Sequence, residues 1–253
     1  MLRIVLALWL FALPAIAAET VVADMNQKNV SITATFDGSH ILIYGAVKRD
    51  APAPEESKID VVIEVSGPPE PVTVRRKERK FGIWVNAASV EVEHAPTFYA
   101  IAATGPLDEI LTDADDARLK ISVDHLIELA EQGDSALDGD TFADAVIRIR
   151  QDKDLYTATP GTVVVTDDTL FKTQIDLPSN LTEGDYLTRI FLLRNKTVLD
   201  VFETQISVRK VGLERWIYNL AHQKPLIYGL LSLAIAIFAG WAASTIFRLL
   251  RLN

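Results

Sequence analysis

Cysteine is absent from the 253-residue chain. That excludes disulfides, thiol catalysis and cysteine-ligated metals, and leaves the burial of apolar surface to hold any fold together. Histidine is scarce too: His40, His94, His125 and His222 stand in separate contexts, without the spacing of metal ligands. There is no G-x-S-x-G, no P-loop, no H-E-x-x-H and no glycine-rich dinucleotide fingerprint. With no nucleophile and base to name, a hydrolase is the weakest reading, and nothing calls for a cofactor or a metal. Asp113, Asp115 and Asp116 begin like a calcium loop, but Ala117 and Arg118 fill later ligand positions and the turn glycine is missing. Basic residues are outnumbered, 25 Lys and Arg against 34 Asp and Glu. That balance argues against nucleic acid as a partner.

What the chain has instead is one long run without charge, Leu226 to Phe247. At about 1.5 Å per residue a helix of that length reaches roughly 33 Å, enough for a hydrocarbon core of about 30 Å. The lipid bilayer is therefore the first expected partner. Residues 225–247 are predicted to span it, with 248–253 as a tail. At the other end, residues 1–18 read as a signal peptide: Arg3 is followed by an apolar stretch, Pro14 interrupts it, and Ala15-Ile16-Ala17 supplies a small-x-small cleavage pattern. The alternative there is an uncleaved anchor. An exported start and one late span orient the protein with its main domain outside, and Arg248 and Arg251 beyond the span agree with that direction.

Between the two ends the period of the apolar residues changes twice. Residues 19–104 alternate as strands do: Val30, Ile32, Ala34 and Phe36 lead through Asp37-Gly38 to Ile41 and Ile43, a pattern that predicts a hairpin. Ile59, Val61, Ile63 and Val65 form another strand, and short strands are expected at 72–75, 81–85, 90–93 and 97–102. Residues 105–158 shift to helical spacing, with Leu107, Ile110, Leu111 and Ala114 on one face, then helical stretches at 123–131 and 141–153. Strands return over 159–210, where Phe171, Thr173, Ile175 and Leu177 alternate before the turn-rich LPSNLTEGDY. The expected fold is mainly β: an immunoglobulin-like β-sandwich with a small helical insertion, followed by a C-terminal transmembrane helix. Residues 211–224 close the exported part as a short amphipathic helix. Trp216 and Tyr218, with Tyr228 at the start of the span, suit the headgroup level.

VRRKERKFGIWVN at 74–86, FYAIA at 98–102, LPSNLTEGDY, and GLERWIYNLA leading to PLIYGL carry a resemblance. Together they resemble an alphaproteobacterial family of single-span transmembrane proteins of uncharacterised function. The resemblance implies a bacterial inner-membrane protein, with the N-terminal domain periplasmic and the C-terminus cytoplasmic. It also implies a gene neighbourhood shared with permeases of the sulfite or sulfonate exporter type. It brings no catalytic residues.

Two constellations remain as candidate sites. Arg75, Arg76, Lys77, Arg79 and Lys80 crowd positive charge just ahead of Trp84 and Asn86 in an otherwise acidic domain. In extended geometry Arg75, Lys77 and Arg79 share one face and Arg76 and Lys80 the other. Such a patch serves either as a charged guard on a strand or as a docking place for an anionic partner. In the span, Ser232, Ala236, Gly240 and Ser244 recur every fourth residue, a stripe along which another helix could pack. The reading that follows is a non-catalytic, membrane-anchored extracytoplasmic interaction module, accessory to a transporter. It would pair with a permease or a second copy through the span. A small-anion-binding domain is the alternative.

Overall fold

The computed structural model describes residues 19–50, 58–129 and 139–250. The expected signal peptide, residues 51–57 and 130–138, and the last three residues lie outside them. Strands β1 (Glu19–Met25), β2 (Asn29–Ile32), β3 (Ser39–Arg49) and β4 (Ile59–Ser66) come first. A long pair follows, β5 (Pro69–Lys80) and β6 (Ile83–Pro96), and then β7 (Tyr99–Ala103). The insertion holds α1 (Leu107–Ile110), α2 (Asp113–Leu119), a 3₁₀ turn at Val123–His125, β8 (Glu128–Leu129) and α3 (Gly139–Gln151). It is followed by β9 (Tyr156–Pro160), β10 (Val164–Thr166), β11 (Leu170–Leu177), β12 (Gly184–Arg194) and β13 (Thr197–Lys210), then α4 (Leu213–Gln223) and α5 (Pro225–Leu250).

These strands make three sheets, ordered β1-β3-β11-β10, β2-β13-β12-β4-β7-β9 and β5-β6-β8. In the first sheet Ile41, Ile43 and Val47 of β3 and Phe171, Thr173, Ile175 and Leu177 of β11 are buried while their neighbours face water. That alternation is the signature of a sheet wet on one side. The centre of the second sheet is buried on both faces. Val61, Val62, Ile63 and Val65 of β4, all of β7, and Ile190 to Leu193 of β12 are inaccessible, as apolar residues on both strand faces require. Contacts of β1 with β12 and of β11 with β7 join the first sheet to the second. Gly45 marks a tight point, because a Cβ there would run into the Phe171 ring and meet the Val22 carbonyl oxygen at 2.7 Å.

The mainly β fold with a helical insertion and a C-terminal apolar helix stands. The immunoglobulin-like arrangement is not established by this strand order. β7 and β9 are parallel neighbours joined through the helical insertion, whereas that architecture consists of two antiparallel sheets. The hairpin expected across Asp37-Gly38 does not form: β3 pairs with β1 and β11, and β2 joins β13 in the other sheet. Asp37-Gly38 thus lies on a crossing between sheets, and Gly38 takes a φ of 117° that few other residues adopt. The stripe from Leu107 to Ala114 is split between two helices, because the Thr112 side chain accepts the Asp115 N–H and starts α2 afresh. The helix expected at 123–131 is a 3₁₀ turn followed by β8, which pairs with β6; the residues beyond Leu129 lie outside the described ones. The short strands expected at 72–75, 81–85 and 90–93 are one continuous hairpin, and Phe81 lies in its turn rather than in a strand.

The chain divides into two compact units. The smaller takes residues 31–36 and 209–253, and within it the Val211 N–H donates to the Ile32 carbonyl at 2.9 Å before α4 and α5 begin.

Candidate functional site

The β5–β6 ladder decides which candidate residues meet. Lys77 pairs with Asn86, Arg79 with Trp84 and Lys80 with Ile83, so Lys77, Arg79, Trp84 and Asn86 share one face with Arg75. A bulge in β6 between the partners of Arg76 and Lys77 makes this possible. Without the extra residue at Ala87, Trp84 would face the other way. The opposite face carries Arg76, Glu78 and Lys80, where Glu78 approaches both cations at 3.7 Å. Charge on that side is partly cancelled. Among the described residues Arg75, Lys77 and Arg79 make no ion pair, so the Trp84 face is a net positive strip on an acidic protein.

At the tip Phe81 and Gly82 have φ of 52° and 85°. Two positive values between paired residues make the tight hairpin turn that matches strand twist. Phe81 is fully exposed, with Ile83 at 64% and Trp84 at 69%. Phe81 and Ile83 were not among the sequence candidates. The available signal was Phe-Gly standing where a turn favours Asn-Gly.

Towards its base the hairpin is covered by α3. Val92, Ala95 and Val146 form a small buried cluster flanked by Val72, Val74 and Ile127. Beside it lies an open groove of about 580 Å³, lined by Arg75, Arg76 and Arg148 together with Phe142, Asp144 and Ile149. The Arg76 guanidinium lies 5.8 Å from the centre of the Phe142 ring. The groove offers three cations and one carboxylate over an apolar floor, a setting that suits a small anion.

Two buried ionic clusters are structural. Glu64 is 2% exposed and meets Arg189 at 2.5 Å, Oε2 to Nη2. Burial pushes its carboxyl up to about 7, against the opposing pull of Arg189. Arg189 also donates to the Leu119 carbonyl at 3.0 Å, capping α2, and stacks 5.1 Å above Phe191. The Tyr99 hydroxyl donates to the Ile121 carbonyl at 2.6 Å, and burial raises its pKa. In the second cluster Glu19 accepts from Arg194 at 2.7 Å and from Arg49 at 2.8 Å, fastening the first described strand to both sheets.

Among the described residues no three of His, Asp and Glu gather as a metal site. Two of the aspartates that began like a calcium loop, Asp115 and Asp116, are occupied locally. Asp115 bonds Arg118 at 2.6 Å, which holds its pKa below the ordinary carboxylate value, and Asp116 accepts the Ser122 N–H at 2.7 Å.

In the smaller unit, α5 offers an apolar stretch over Pro225–Arg248 with no buried residue. Ser232 donates to the Tyr228 carbonyl at 2.8 Å, and among the described residues a Cβ built on Gly240 would meet nothing within 4 Å beyond its own stretch of helix. Ser232, Ala236, Gly240 and Ser244 are thus exposed among the described residues. Trp216, Ile217 and Tyr218 of α4 are exposed, and the His222 ring stacks on Tyr218 at 4.0 Å. An apolar helix face left bare by its own protein is what a lipid interface would cover.

A β-rich domain followed by a bare apolar helix of spanning length, the one such helix among the described residues, has the architecture of a transmembrane protein. The chain belongs to the family described as "Putative transmembrane protein (Alph_Pro_TM)", whose profile matches residues 20–249. No protein with curated annotation matches the chain.

Proposed function

We propose that this protein is a non-catalytic, membrane-anchored interaction module. Its β domain stands on the extracytoplasmic side of a bacterial inner membrane and holds an acidic surface of an integral-membrane partner. The observation that carries this reading is the strip of Arg75, Lys77 and Arg79, aligned with Trp84 and Asn86 and without carboxylate partners among the described residues. A domain with an excess of acidic residues that gathers unneutralised cations beside an aromatic side chain has the composition of a docking surface. The resemblance noted from sequence makes a transporter of the sulfite or sulfonate exporter type the partner to test first.

The test is co-purification in mild detergent of the full chain and of a variant with Arg75→Ser, Lys77→Ser and Arg79→Ser. Exposed charges contribute little to stability, so the variant should fold as the parent does. Its partner should be lost, and the parent's partner should dissociate progressively with added salt. A partner retained equally by both at every salt concentration would remove the strip from the interface.

A second reading rests on the groove between β5 and α3. Arg76 and Arg148 beside Phe142 would hold a small oxyanion. Sulfite or sulfate should then raise the melting temperature of the parent but not of an Arg148→Ser variant.

A further inference from the structure

The turn of the β5–β6 hairpin contains a residue that its geometry does not want. The β12–β13 hairpin supplies an internal comparison: Arg194 pairs with Thr197, and the two residues between them, Asn195 and Lys196, both have positive φ. The same slot that holds Asn195 in that turn holds Phe81 in this one, between Lys80 and Ile83. Asparagine enters the left-handed region readily because its short polar side chain bonds locally, whereas a bulky aromatic side chain there is strained. Folding gains nothing in return, since Phe81 is fully exposed. A local rule broken without compensation inside the fold points to a use outside it.

We propose that the tip Phe81–Trp84 inserts into the anionic phospholipid surface of the bilayer that holds α5. The arrangement of the residues fits that occupant. Phe81 and Ile83 stand at the end, Lys80 and Arg79 lie one and two positions behind them, and Lys77, Arg76 and Arg75 follow. At about 3.3 Å per residue the first cations sit within roughly 7 Å of the apolar end. A helix or loop resting in the interface buries its apolar part about 5–10 Å, so the tip would reach the acyl boundary while Arg79, Lys80 and Trp84 stay among the headgroups. The cations match anionic headgroups in sign, and tethering through the span gives a weak surface contact a high effective concentration. This inference shares Arg79 and Trp84 with the strip proposed above for a protein partner, but it rests on the turn at Phe81 and needs lipid alone.

The absence of cysteine supplies the experiment. Ile83→Cys places a unique thiol at the tip of the full chain for an environment-sensitive fluorophore, and Thr73→Cys places one at an exposed position far from the tip as control. Each labelled chain is reconstituted, one copy per nanodisc, in phosphatidylcholine alone or with about one-third phosphatidylglycerol. The label at position 83 should shift to the blue in anionic discs and be quenched by nitroxide carried on the lipid chains. The label at position 73 should do neither. Adding Phe81→Asn, which suits the turn better, should cut quenching at least fivefold without lowering the melting temperature. Arg79→Glu with Lys80→Glu should cut it by a similar factor and abolish the preference for anionic lipid. A label at position 83 that stays aqueous in both discs overturns the proposal. So does quenching that arises only from vesicles added separately, or a blue shift without quenching by lipid-borne nitroxide. Because the discs contain no other protein, a negative result would leave the partner-docking strip untouched.

Discussion

Glu64 and Arg189 face each other at 2.5 Å inside the second sheet, and from there the arginine reaches the C-terminal carbonyl of α2 at Leu119. One side chain thus connects the helical insertion to the middle of β12 and β4. Replacing Arg189 by Met should leave a buried carboxylate without its cation, a loss of about 3–5 kcal/mol at alkaline pH. The loss should shrink towards pH 5, where Glu64 takes up a proton. Urea unfolding at pH 5 and pH 8 measures both, and an equal loss at the two pH values would show that the pair is not electrostatic in origin.

The parent protein should itself respond to this carboxyl. Because the folded-state pKa is raised from 4.5 to about 7, the folded protein binds the proton more tightly than the unfolded chain does. The contribution of Glu64 is fully present below pH 4.5 and is lost as pH rises through about 7. Glu64→Gln should therefore flatten the melting-temperature profile between pH 5 and 8, and a slope left unchanged would assign it to other groups.

Gly45 offers a test of the joint between β1, β3 and β11. Gly45→Ala should cost about 1–3 kcal/mol or more by overpacking against Phe171 and the Val22 carbonyl. Gly82→Ala, whose added Cβ would meet no atom within 4 Å, should suffer only the penalty of a positive φ. Thermal unfolding of the two variants separates crowding from backbone strain.

The exposed stripe of α5 predicts a difference between its faces. Gly240→Leu with Ala236→Leu should abolish cross-linking to a partner helix, whereas Leu233→Val with Ile237→Val should do little. Equal tolerance would reduce the span to a tether.

Orientation is checked by reporters. A fusion after Asn253 should be active only in the cytoplasm, and one inserted between Asp50 and Lys58 only outside. An externally accessible C-terminus would overturn the extracytoplasmic reading of the β domain.

The alternation of Ile41 with Ile43 and of Phe171 through Leu177, and the unbroken run of Leu226 to Phe247, were legible because each burial pattern repeats along a single element. Strand partners were not legible in the same way. Val30 and Ile41 share the same alternating pattern, yet β2 and β3 belong to different sheets, and local periodicity carries no information about which strand lies beside which. At the candidate site the positive run and its split into two faces could be read from spacing alone. The bulge at Ala87, which turns Trp84 and Asn86 towards Lys77 and Arg79, could not, because an extra residue in one strand shows only against its partner. Glu64 and Arg189 were not among the sequence candidates: each is a charge within an otherwise apolar strand, and the pairing that explains both needed the alignment of β4 with β12.

β12 occupies the interior of its sheet, between β4 and β13, although β4 is translated more than a hundred residues earlier. The first sheet is interleaved in the same way, with β3 waiting for β11. An emerging chain would therefore expose two unpaired, strongly apolar strand edges until its final third arrives, and the span follows almost at once. Completion of the domain and partition of α5 into lipid would then be nearly simultaneous events. Slowing one by mutation should leave the nascent protein vulnerable to proteases and dependent on holding chaperones, even where the finished fold loses little stability.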